Sequence, residues 1–191
     1  MDNDRLSSLL AVHPQGAIMS KQAVEMFRAI FKQSHEVLEN TIADVDDAML
    51  NWQPPGIANS IAANYGHILT GEDFLVNAMM RQGAPLLASS WAGKTGLSEP
   101  PPAGGGMREW GQRVQVDLPA LRAYAEAVYA STDEYLATLS DADLETTLQT
   151  QNFGTPTIGW FLGGILLANL NWHTGEIACL KGLQGKKGYP F

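Results

Sequence analysis

From Thr146 to Gly175 the chain carries no Asp, Glu, Lys or Arg. Its centre, Ile158–Leu170, is almost wholly apolar. A helix with so little charge around it cannot turn one face to water and is expected to be buried on most sides. It is also too short for a membrane span, which needs about 20 apolar residues, and Gly163, Gly164 and Asn169 interrupt it. A second charge-poor segment runs over about 60–81. It holds Ile61, Tyr65, Ile68, Leu69, Phe74, Leu75, Val76, Met79 and Met80, with only Glu72 and Asp73 charged before Arg81. Two such helices must be covered by others, so the fold is constrained to a helical core.

The rest of the sequence supplies the cover. Val24, Phe27, Ile30, Phe31, Val37, Leu38, Ile42, Val45 and Leu50 recur at helical spacing, which predicts a first helix over 21–50 with Ser20 as its N-cap. Pro54-Pro55-Gly56 ends it. Asn59-Ser60 offers caps for the second helix. Pro85, Gly93, Gly96, Pro100–Pro102 and Gly104–Gly106 exclude one continuous helix between 83 and 106. That stretch is read as a long crossover, with a short helix near 108–115. A loop of this length in a compact domain is commonly functional or mobile. A third helix is expected over 117–139, with Pro119 in its first turn. The fourth is expected over 157–182, ended by Gly182. The reading is all-α: a four-helix bundle with a long crossover between helices two and three, preceded by an arm over 1–19, so that 20–191 forms one domain.

Charge narrows the function. The chain has 191 residues, 12 Lys plus Arg against 20 Asp plus Glu, and a net charge of −8. Such a chain repels phosphate backbones and anionic membrane surfaces, so neither nucleic acid nor membrane is an expected partner. Leu6–Val12 is too short and too interrupted for a signal sequence. The expectation is a soluble, cytoplasmic protein. Cys179 is the only cysteine, which excludes an intrachain disulfide and a thiolate cluster, and is read as a small core residue.

Each charge-poor helix holds one histidine, His67 and His173. A buried histidine must satisfy two ring nitrogens, by hydrogen bonds or by binding a metal. Asn169 and His173 stand at i, i+4 and share a helix face, with Glu176 near it. If helices two and four touch, His67, Asn169 and His173 converge. Glu176 is either a solvated acid or, like Trp172, a residue that lines the pocket or supports the cluster from behind. Other signals are weaker. His35-Glu36 with Glu39 lacks the second histidine of a zinc protease motif and reads as an exposed acidic stretch of helix one. Glu72-Asp73 reads as a solvated patch. No Glu stands three residues before His35, His67 or His173, as a di-iron bundle would need. The five tryptophans are read mostly as core anchors, with Trp172 also able to line a pocket.

On Gly66-His67-Ile68, His173-Thr-Gly175-Glu176, the stretch Pro54–Ile61 and the tail from Lys181 to Phe191, the chain resembles the DinB-like four-helix bundle proteins, over about residues 22–191. These include bacillithiol- and mycothiol-dependent transferases. The resemblance implies a divalent metal, often nickel, zinc or iron, held by three histidines and water. The first histidine of the last-helix pair falls here on Asn169, whose carboxamide oxygen is a neutral and weaker donor than imidazole. Two readings therefore stay open. One is a metal-dependent transferase or hydrolase acting on a thiol-linked small molecule, with the metal between His67, Asn169 and His173 and the 83–106 loop at the pocket mouth. The other is a metal-free binding or stress-associated bundle with a degenerate site. Apolar helix surface with little charge suggests a homodimer in either case.

Overall fold

A computed structural model describes residues 20–191; the arm expected over 1–19 lies outside them. Among the described residues there is no strand, only two isolated antiparallel bridges, Leu97 to Val116 and Thr147 to Thr157. The long helices are α1 (Gln22–Thr41), α3 (Ile61–Asp73, continuing to Met80), α5 (Leu118–Thr138) and the last one, Ile158–Leu183. Short helices stand between them: α2 (Asp47–Leu50), α4 (Met107–Arg113) and α6 (Asp141–Leu144). The last long helix begins as α7 (Ile158–Phe161) and ends as α8 (Ala168–Leu183).

The local starts follow from capping. Ser60, Asp117 and Thr157 accept hydrogen bonds from Ala63, Ala120 and Trp160 amides. Each such cap contributes about 1 kcal/mol. Ser20 does not cap α1. Asp141 does: its Oδ1 accepts from the Ala23 and Val24 amides, and its Oδ2 accepts from Ser20 Oγ. The start of the first helix is thus tied to the far side of the chain, a contact that local sequence cannot show. The first long helix also ends earlier than expected, at Thr41, and residues 47–50 form the separate turn α2.

Both charge-poor helices carry a wide turn. Phe74–Met80 and Leu162–Leu167 are π-helical, with Arg81 N bonded to Val76 O. Such insertions rotate the following residues around the axis and recur near functional sites.

α1 lies against α5 and α8, and α3 lies against the same two helices. α1 and α3 are therefore diagonal partners across the bundle. Arg28 meets Asp133, and Arg122 meets Ile42 O, so α1 and α5 run antiparallel. His67 meets His173 while Gly71, one turn later, approaches Asn169, so α3 and α8 run antiparallel. Glu39 meets Tyr65 while His35 meets Glu72, so α1 and α3 are antiparallel too. The resulting order is up, down, down, up. α3 and α5 are neighbours pointing the same way, and a connection between parallel helices must travel the length of the bundle. The crossover does this.

The crossover is pinned rather than loose. Asp73, fully buried, accepts from the Leu86 and Leu87 amides, from Asn77 Nδ2 and from Tyr124 Oη. Gly96 has φ +80°, and a Cβ there would stand 2.6 Å from Asp117 O. Trp110 is buried and donates from Nε1 to Glu99 O. Of the other tryptophans, Trp160 and Trp172 are exposed, so not all are core anchors.

Candidate functional site

The structure brings His67, Asn169 and His173 together. His67 Nε2 lies 3.3 Å from Asn169 Oδ1. The His67 and His173 rings meet edge to face, with centroids 4.8 Å apart. Asn169 and His173 both follow the π turn, so their i, i+4 relation survives it. Gly71, one turn beyond His67, lies against Asn169: a Cβ there would make an ordinary contact, 3.8 Å, with its Nδ2. All three polar residues are half-buried.

Glu176 is the partner of His173. Its Oε2 lies 2.7 Å from His173 Nδ1, across one turn of α8. A carboxylate only accepts, so Nδ1 carries the proton and, in the neutral ring, Nε2 keeps its lone pair. This carboxylate–imidazole arrangement orients metal-binding histidines and raises their basicity. Burial pushes the His67 imidazole below its ordinary range, and the nearby His173 adds to that; Asn169 and Glu176 act in the opposite sense. His67 therefore stays neutral near pH 7, as a ligand or a hydrogen-bonding ring must.

The donor set bears on a metal in two ways. The 3.3 Å between Nε2 and Oδ1 is long for a hydrogen bond, where N···O distances cluster near 2.9–3.0 Å. It is close to the separation, on the order of 3.4 Å, of two ligands about 2.1 Å from one ion in a tetrahedral site. Among the described residues no group of three His, Cys, Asp or Glu converges, because the third donor is a carboxamide. The residues fit a divalent cation with two imidazoles and one neutral oxygen, a weaker set than three imidazoles.

Trp172 is 69% exposed, so most of its ring faces solvent and not the cluster. Cys179 is exposed, not a core residue. The crossover, expected at the site's mouth, instead reaches the α3 face that holds Gly66: a Cβ on Gly66 would come within 2.9 Å of Leu97 Cδ2.

Two polar readings need correction. Glu72 and Asp73 are buried, not solvated. Glu72 sits between His35 Nε2 at 3.0 Å and Thr132 Oγ1 at 2.6 Å. His35 is buried too, stacked on Tyr129 with centroids 3.7 Å apart. Glu39 Oε1 accepts from both Tyr65 and Tyr129 hydroxyls. The signal for His35 was its place between Phe31 and Leu38, on the apolar face of α1 at i+4 and i−3.

A model of the DinB superfamily matches residues 30–177. The chain belongs to the DinB superfamily. A crystal structure of a conserved protein from Enterococcus faecalis is similar in fold, with a TM-score of 0.73 at 21% identity, covering 85% of this chain and 98% of that one. At this identity the likeness concerns the fold alone. Among curated proteins no sequence matches the chain. The superfamily span includes His67, Asn169, His173 and Glu176, and it takes in α3, α5 and all of α8 up to Ile177. No described helix is long and apolar enough to cross a membrane.

Proposed function

We propose that this DinB-superfamily chain acts on a small molecule at the His67–Asn169–His173 cluster, as a transferase or hydrolase that uses a weakly held divalent metal. The observation that supports this is His67, which lies 3.3 Å from the Asn169 carboxamide oxygen and edge to face with the His173 ring, centroids 4.8 Å apart, while Glu176 accepts from His173 Nδ1. His67, Asn169 and His173 would hold the ion. When bound, it would supply Lewis acidity and lower the pKa of a coordinated water or thiol. The chain's own contribution is orientation. Glu176 holds the His173 ring at a fixed angle. The low proton affinity of His67 keeps its lone pair free near pH 7. Asn169 contributes a neutral oxygen, so the cluster adds no negative charge to an anionic substrate. A thiol-linked substrate is the class the family resemblance suggests.

A metal-free site is the second reading. It is favoured by His67 Nε2 and Asn169 Oδ1 when taken as donor and acceptor, since that hydrogen bond occupies the nitrogen a metal would need. Exposed Phe74, Trp160 and Trp172 support self-association as a homodimer under either reading.

The test is metal content by mass spectrometry of the untagged protein and of Asn169→His. Under the metal reading the natural chain binds a divalent ion at micromolar concentration, and the variant binds it at least tenfold more tightly. Binding by the variant alone makes the natural site metal-free. Binding by neither refutes the metal-dependent reading.

A further inference from the structure

A groove of about 700 Å³ lies between α1 and α5, apart from the His67 cluster. Its size is that of a small-molecule site. At its floor is His35, whose Nε2 faces the buried Glu72 carboxylate at 3.0 Å. Glu72 also accepts from Thr132, and a carboxylate held this way takes the Nε2–H of His35, which in the neutral ring leaves the lone pair on Nδ1. Among the described residues Arg122 Nε is the one side-chain nitrogen or oxygen enclosed without a partner. His35 Nδ1 makes no hydrogen bond to the described residues, and the His35 ring lines the groove. A stacked, carboxylate-backed imidazole presenting a lone pair is an acceptor built in place.

The charges around it select the ligand. Four carboxylates line the groove, Glu25, Glu36, Glu39 and Asp133, against Arg28 and Lys32. Arg28 is already committed: Nε and Nη2 donate to Asp133 and Nη1 to Glu25. Lys32 projects into solvent, with its side chain 80% exposed. An anion finds no free cation inside, since Lys32 and Arg122 face Glu36 and Glu39 at 4.0 and 3.9 Å. A cation finds a lining with more carboxylates than cations, beside the apolar side chains of Ala29 and Leu136.

We propose that the α1–α5 groove is a second binding site, for a small protonated amine on an apolar body, whose N–H donates to His35 Nδ1. The probe is benzylamine, titrated into the full chain and followed by two-dimensional NMR, beside benzyl alcohol and benzoate. Ala29→Trp fills the mouth from an exposed position on α1, and His173→Ala alters only the other cluster. The expected result is benzylamine binding at least tenfold tighter than either analogue, weakened at least tenfold by Ala29→Trp and unchanged by His173→Ala. Equal binding of the three probes, no binding of benzylamine, or loss with His173→Ala in place of Ala29→Trp overturns the proposal.

Discussion

Replacing Asp73 by Asn is the sharpest structural perturbation available, because it changes one atom at a fully buried position. Asp73 Oδ1 accepts from Asn77 Nδ2 and Leu86 N, and Oδ2 from Leu87 N and Tyr124 Oη, each between 2.7 and 2.8 Å. The carboxamide keeps one acceptor oxygen and turns an NH2 group toward two donors. The Tyr124 hydroxyl can rotate and accept instead; a backbone amide cannot. Burial and the Asp73 charge push the Tyr124 phenol well above its ordinary range, so in the natural chain it is a firm donor. Hydrogen bonds to a charged group contribute about 1.5–3 kcal/mol each, and the neutral amide regains part of the carboxylate's desolvation cost. The net expected loss is about 2–4 kcal/mol. In a chain of this size that lowers Tm by roughly 5–15 °C. Urea unfolding followed by circular dichroism measures it. Tyr124→Phe alone should cost about 1–2 kcal/mol, and less in the Asp73→Asn background. A loss under about 0.5 kcal/mol for Asp73→Asn would refute the claim that this carboxylate fastens the crossover to the bundle.

Two further outcomes follow from the geometry. Gly96→Ala should cost about 2–4 kcal/mol in the same unfolding assay, because φ is +80° and the new Cβ meets Asp117 O at 2.6 Å and Leu121 N at 2.7 Å. Ser20 and the first amides of α1 hold the Asp141 carboxyl below its ordinary value of 3.8. A depressed carboxylate stabilises the fold above that value and stops doing so as pH falls through the folded one. Asp141→Asn should therefore lower the urea midpoint at pH 7, and flatten its decline below about pH 4.

The helices were legible because their apolar periodicity and Pro/Gly breaks are local. The convergence of His67, Asn169 and His173 was legible on one condition, contact between the two charge-poor helices, and α3 does lie against α8. The crossover length pointed to a connection between parallel neighbours. Glu72, Asp73 and His35 were misread for one physical reason. Their partners, Thr132, Tyr124, Tyr129 and the Leu86 and Leu87 amides, come from segments far along the chain or across the bundle. A charged residue in an apolar helix reads as solvated until those donors are in place. The cap of α1 by Asp141 was hidden for the same reason.

The central claim is that His67 and His173 serve one ion or ligand together. Long-range ¹⁵N NMR of the histidine rings during zinc titration tests it directly. The account predicts that nitrogens of both rings shift in concert with one midpoint, with His173 Nδ1 remaining protonated against Glu176, while His35 stays unmoved. Shifts of one ring alone, or of neither at millimolar zinc, would contradict it.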